Sequence, residues 1–235
     1  VEDLGFLKMD FLGLRNLTLL EDSVKMIADN YGEEIDIDNM GLDDKETYEL
    51  FGRGETTGVF QFESNGMRDY LIKLRPDRIE DIIAMTALYR PGPMKYIPNY
   101  IARKHGTEKV TFDHPILEPS LEETYGIILY QEQVMRIGRD MAGFSLGEAD
   151  GIRKAMGKKL AEEMDKWRTG FVEGALKNDV PKTVAEKIWA DIEVFAGYAF
   201  NKSHSAAYAV VSYQCAYLKA HYPAEYMAAN LNSEI

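Results

Sequence analysis

Four consecutive polar residues, Asn201, Lys202, Ser203 and His204, follow an aromatic lead-in (Gly197, Tyr198, Phe200) and precede an alanine-rich run that reads as a helix. The first N–H groups of a helix have no partner inside it, so a helix start can seat an anion, and a serine there can cap it. Ser203 or Ser205 is placed to cap this helix, while Lys202 and His204 add donors at the same end. Capping with two solvated side chains is the plainer account, and an anion seat is the sharper one. From Val194 to Ala224 there is no Asp or Glu, which favours the second.

Two further stretches are basic without acids. Between Ile82 and Thr107 stand Arg90, Lys95, Arg103 and Lys104, with Arg90 held in the rigid turn YRPGPM, and between Gly151 and Leu160 stand Arg153, Lys154, Lys158 and Lys159 around Gly157. Cations at a helix C-terminus are favoured by its dipole, which alone could account for the second group. Three such islands in an acidic chain can also focus a positive field on one cleft. Near the start, Lys8 and Asp10 in GFLKMDFL are two apart, which on a strand puts both on one face. They read either as a buried ion pair or as a metal-binding Asp with a phosphate-facing Lys.

The elements that must position these residues are mostly helices. Leu19, Leu20, Val24 and Ile27 follow helical spacing up to Gly32, and Asp43 with Glu46 has capping-box form before a short helix ending at Gly52. Ser64 precedes a helix carrying Met67, Leu71 and Leu74, and Asp77 with Glu80 repeats the box before Ile79, Ile82 and Ile83. A helix runs near 98–105. Gln131, Glu132 and Gln133 cluster where the stretch with Ile127 and Ile128 enters a helix carrying Val134, Ile137 and Met141. Ser145 and Glu148 cap the next. Met164, Trp167 and Phe171 mark another, and Val184, Ile188, Ile192 and Phe195 one more. The helix after the polar cluster begins near His204 and reaches about His221, and Pro223 separates it from a last helix. Residues 57–62 read as a short extended piece.

At 235 residues with 46% hydrophobic and 28% charged residues, the chain is an ordered protein with a sizeable core, and no apolar run approaches a membrane span. The start has neither a basic region nor a cleavage pattern of a signal peptide, and it lacks an initiator Met, so it reads as a piece of a longer protein. A net charge of −12 argues against general nucleic-acid binding by the whole surface. One cysteine, Cys215 in an apolar run, reads as packing in a reducing compartment, and four scattered histidines offer no zinc spacing.

Taken together, the words LKMDFLGLR (7–15), ETTGVFQFES (55–64), YRPGP (89–93), EETYGIILYQEQVM (122–135), RKAMGKK (153–159) and FAGYAFNKSHSAAYA with KAHYPAEYMAA closely resemble the catalytic alpha subunits of bacterial DNA polymerase III, the C family of replicative polymerases. The resemblance implies a mainly α chain: residues 1–14 as the last strand of a nucleotidyltransferase palm and 15–235 as a multi-helix fingers domain with a few short strands. It carries over Asp10 as the third catalytic aspartate, a Mg²⁺ ligand in a two-ion site, and Lys8 as a lysine of the same strand facing the active site. It also implies that Arg153 and Lys154 meet the phosphates of the incoming deoxynucleoside triphosphate and that Asn201, Lys202 and His204 complete the nucleotide pocket, with Lys158 and Arg90 as further nucleotide-binding candidates from the basic islands. The family commonly has an Arg where this chain has Lys154, and an ammonium lacks the bidentate fork of a guanidinium.

The implied partners are template-primer DNA, deoxynucleoside triphosphates and, through regions outside this stretch, other holoenzyme subunits; the implied location is the cytoplasm, with no membrane. No PDxDxDF word for the other two aspartates occurs, so the isolated stretch is expected not to polymerise DNA. The competing expectation is a non-catalytic helical module that binds nucleic acid or protein within a larger assembly.

Overall fold

A computed structural model describes residues 4–7, 9, 13–158, 161–196 and 198–233. Lys8 and Asp10 lie outside them; of the stretch expected to end the palm, residues 4–7, 9 and 13–14 are described and none is in a strand. Twelve α-helices make up most of the described chain, and the one β feature among the described residues is a single parallel bridge between Tyr130 and Phe200. Residues 57–62, expected to be extended, form consecutive turns. A short apolar run does not by itself distinguish strand from turn.

The first seven-helix set surrounds one core. α1 (Arg15–Tyr31) turns Leu19, Leu20 and Ile27 inward and ends at Gly32, whose φ of 69° places it in the left-handed conformation that glycine adopts freely. α2 (Lys45–Gly52) is capped by Asp44, one residue beyond the expected Asp43, because the Asp44 carboxylate reaches the Thr47 N–H at 2.8 Å and the Thr47 hydroxyl at 2.7 Å. α3 (Asn65–Leu74) is capped by Ser64. α4 (Ile79–Leu88) is buried on nearly every side, and the expected box at Asp77 and Glu80 does not form. Asp77 instead gives its N–H to the Asp81 carboxylate and pairs with Lys104 at the end of α5 (Ile97–Lys104).

α6 (Glu118–Leu121), α7 (Gln131–Ala142), α8 (Leu146–Lys158), α9 (Ala161–Lys177) and α10 (Lys182–Ala196) enclose a second core with Phe171 and Trp189 fully buried at its centre. Burial of each such side chain contributes on the order of 1.5–3 kcal/mol. α7 and α9 approach so closely that a Cβ on Gly174 would collide with the Ala142 carbonyl. Ser145 and Glu148 form the expected reciprocal cap of α8.

α11 (Lys202–His221) then returns to the first core, lying along α4 and contacting α1, α2 and α12 (Pro223–Asn232). Its inner face buries Ala209, Tyr213, Cys215, Ala216 and Leu218. Cys215 is a packing residue, and burial pushes its thiol up. The two cores therefore meet where the chain leaves α10 and begins α11.

Candidate functional site

That seam is built from the end of α4, the start of α7 and the start of α11. The turn after α4 needs Gly92, whose φ is 106°, and the Tyr198 ring lies against it, 3.0 Å from where a Cβ would sit. Arg90, in the same turn, gives Nε to the Ala87 carbonyl at 3.0 Å and Nη2 to the Tyr198 carbonyl at 2.9 Å, with its guanidinium 4.0 Å over the Phe200 ring. Burial lowers its pKa, but a guanidinium starts high enough to remain charged. Arg90 thus ties the stretch before α11 to the end of α4.

The segment entering α7 is fixed by Gln133. Its side-chain oxygen accepts from the N–H groups of Leu129 and Tyr130 at 2.8 and 2.9 Å, and its amide nitrogen donates to the Ser120 carbonyl and the Thr124 hydroxyl. The Gln131 N–H then reaches the Phe200 carbonyl at 2.9 Å, which places Glu132 against the start of α11. One Glu132 oxygen accepts from the Asn201 side chain at 2.9 Å and the other from the Lys202 N–H at 3.0 Å. The carboxylate sits on the first turn of α11, where the helix dipole favours negative charge.

Asn201, not Ser203 or Ser205, is the cap of α11: its side-chain oxygen accepts from the His204 N–H at 2.8 Å. The helix therefore starts two residues before the expected position. Ser205 is buried and donates to the Ile83 carbonyl at 2.7 Å, fastening α11 to α4. The Lys202 ammonium meets Glu123 at 2.6 Å and lies 5.7 Å from the centre of the Tyr130 ring. The His204 ring lies between Phe200 and Tyr208, with centroids 5.5 and 4.2 Å away.

Among the described residues, four buried side-chain atoms have no hydrogen-bond partner: Arg78 Nε, Ser120 Oγ, Glu123 Oε1 and the Tyr130 hydroxyl. Burial, then the neighbouring Glu123 and Glu132 carboxylates, push the Tyr130 phenol well above its ordinary range.

The expected phosphate-binding residues on α8 are arranged differently. Arg153 and Lys154 share the carboxylate of Asp150, at 2.7 and 2.8 Å, within their own helix. The Lys154 and Arg153 contacts hold the Asp150 carboxyl below its usual range. Lys158 ends α8, and its side chain lies outside the described part of the structure. Asn201, Lys202, His204 and Arg90 are thus brought to one seam, while Arg153 and Lys154 stand on a helix of the other core.

Glu123 and Glu132 are the residues that sequence reasoning missed as partners of Lys202. The stretch 194–224 is free of acids along the chain but not in space. The cluster Gln131–Glu132–Gln133 was visible in the sequence, although nothing in it announces contacts across about seventy residues.

Among the described residues there is no group of three or more His, Cys, Asp or Glu able to hold a metal ion. Asp10, the expected ligand, lies outside them. No helix among the described residues is long and apolar enough to cross a membrane.

The chain is similar to proteins in which this arrangement can be placed. It matches the model of the bacterial DNA polymerase III alpha subunit finger domain over residues 16–179. It is 55% identical to a DNA polymerase III subunit alpha from Thermus aquaticus, with all of this chain and 20% of the relative covered. It is 53% identical to one from Halalkalibacterium halodurans (97% of this chain, 20% of the relative) and 51% identical to one from Aquifex aeolicus (100% and 20%). The chain spans about a fifth of the length of these relatives. With a helical architecture and a family match over most of its length, the chain belongs to the finger-domain family of bacterial DNA polymerase III alpha subunits.

Proposed function

We propose that this chain is the fingers of a DNA-directed DNA polymerase, with residues 1–14 closing the palm and 15–235 binding the incoming deoxynucleoside triphosphate beside template-primer DNA. The observation that carries this reading is the Glu132 carboxylate seated across the Lys202 N–H and the Asn201 amide. The start of α11 holds an anionic oxygen pair there, with a lysine and a histidine on the same turn. A triphosphate oxygen has the same charge and acceptor chemistry.

In this reading Lys202 leaves Glu123 to meet phosphate, His204 and Asn201 border the nucleotide, and Arg90 holds the stretch that presents them. Arg153, Lys154 and Lys158 approach the triphosphate from α8. Cationic side chains that meet developing negative charge stabilise the transition state without covalent work by the protein. Asp10 is the carried-over Mg²⁺ ligand and Lys8 its neighbour. Both lie outside the described residues, and no step here runs through the ions. The stretch alone is inactive in polymerisation, and the whole polymerase acts in the cytoplasm with other holoenzyme subunits.

The test is steady-state primer extension by the full-length polymerase over a range of nucleotide concentrations. Arg153→Ala and Lys202→Met should each lower kcat/KM for nucleotide at least about tenfold, the loss expected for removing a charge-assisted contact to phosphate, with primer-template affinity unchanged. Unchanged kcat/KM in both variants would reject the reading.

A further inference from the structure

A row of rings runs along one face of α11 and beyond the seam. Phe200 touches His204 (5.5 Å between centroids), His204 touches Tyr208 (4.2 Å), and Tyr208 touches Phe60 of the turn segment (5.2 Å). Arg90 covers the first ring at 4.0 Å. Phe200, Tyr208 and Phe60 are half-buried and His204 is exposed, unlike the inner face of the same helix. Residues 200, 204 and 208 recur at helical spacing, about 6 Å of rise each.

Past Phe60 the row opens into a cavity of about 220 Å³ that Asn16, Gln61 and Asn230 line with amides. Gln61 holds a left-handed backbone, φ 65°, which residues other than glycine rarely adopt, and its side chain is exposed at the cavity. The acid of this cavity, Glu63, accepts from the Gly58 N–H at 3.3 Å. No acid occurs on α11 itself.

Half-buried and exposed rings at the edge of a core leave part of their surface open, and nucleobases stack on aromatic side chains whatever their sequence. Amides can then bond base edges. We infer that the Phe200–His204–Tyr208–Phe60 row is a stacking platform for unpaired bases of a single DNA strand, its occupant being the template ahead of the primer end. The inference rests on the polymerase reading above. It goes beyond that reading, since Tyr208, Phe60 and Gln61 have no part in the nucleotide pocket proposed there.

The test places 5-iododeoxyuridine at successive positions of the template overhang, bound to the full-length polymerase without nucleotide, and maps photocrosslinks by peptide mass spectrometry. Crosslinks from at least one position should fall on Phe60 or Tyr208. Tyr208→Ala should weaken the overhang-dependent part of DNA binding about 5- to 100-fold, the range for loss of a stacked base, while Tyr208→Phe keeps it.

Crosslinks from every overhang position mapping away from Phe60 and Tyr208 would overturn the inference, as would labelling of Phe60 or Tyr208 by free 5-iododeoxyuridine triphosphate alone. If Tyr208→Ala does not fold, the unmodified protein's crosslinks still decide. Normal kinetics of Arg153→Ala and Lys202→Met alongside overhang crosslinks on the row would refute the nucleotide site and leave the platform standing.

Discussion

The two basic regions expected to meet nucleotide are held in opposite ways. At the start of α11, Lys202, Asn201 and the residues before them are fixed by Glu123, Glu132 and Arg90, partners about 70 to 110 positions away along the chain. On α8, Arg153 and Lys154 are held by Asp150, three and four residues away on the same helix, with Arg153 and Asp150 half-buried and Lys154 exposed. Exposed ion pairs contribute little and break easily. The Lys202–Glu123 pair is as accessible as the Arg153–Asp150 pair, so the contrast lies in the backbone: the start of α11 is a preorganised wall tied to both cores through Asn201, the Lys202 N–H and Arg90, while the Lys202 ammonium, like Arg153 and Lys154, can change partner. Such a division suits a site in which one side positions a ligand and the other closes on it.

The comparison can be broken first from beneath. Lys104 and Asp81 form a buried pair at 2.8 Å, and the Tyr100 hydroxyl donates to the same carboxylate; α4, which carries Asp81, supports the whole seam. Lys104→Met takes the ammonium from that buried carboxylate, which keeps Arg78 Nε at 3.7 Å, the Tyr100 hydroxyl and the Asp77 N–H, so urea unfolding should show a loss of about 3 kcal/mol, the lower end for breaking a buried pair. Next in size, Arg90→Ala removes two bonds to carbonyls and a cation–π contact, with an expected loss of about 2–3 kcal/mol by the same measurement.

Glu132→Ala takes away the carboxylate on the first turn of α11. A loss of about 1–2 kcal/mol is expected, with faster hydrogen exchange at the Lys202 amide. At the far end of α11, His221 lies 3.0 Å from the Asp44 carboxylate that caps α2. Burial raises the Asp44 pKa, but its bonds from Thr47 and His221 outweigh that and leave it lowered. A carboxyl lowered on folding stabilises above its unfolded value of about 3.9, and that contribution is lost as pH falls through the folded value. Asp44→Asn should remove about 1 kcal/mol at neutral pH and flatten stability between pH 5 and the acid limb, about the region where the carboxyl titrates.

The smallest effect sharpens the contrast. Asp150→Asn should leave the melting temperature nearly unchanged, since Arg153 and Lys154 are held there only by solvent-accessible ion pairs within one helix. A marked drop would mean that α8 is as firmly fastened as α11.

The helices were legible in the sequence because their apolar positions repeat locally: Leu19, Leu20 and Ile27, or Ile188, Ile192 and Phe195, fall on buried faces as their spacing implies. Caps were less legible where several cap-forming residues stand together. Asp44 won over Asp43 by reaching Thr47, and Asn201 won over the serines because Ser205 turns into the protein toward Ile83. Residues 57–62 were misread since a short apolar run fits turn or strand. The polar cluster at 201–204 could be found from composition, but its carboxylate partners could not, because contacts between Lys202 and Glu123 depend on how the two cores meet.

The most direct test of the account is a double-mutant cycle on kcat/KM for nucleotide in the full-length polymerase, using Arg153→Ala, Lys202→Met and both together. If wall and closing cations grip one triphosphate, each single change lowers kcat/KM and the double change departs from the product of the two, while primer-template affinity holds. Losses that multiply independently would place the two regions on different ligands, and no loss from either would contradict the account.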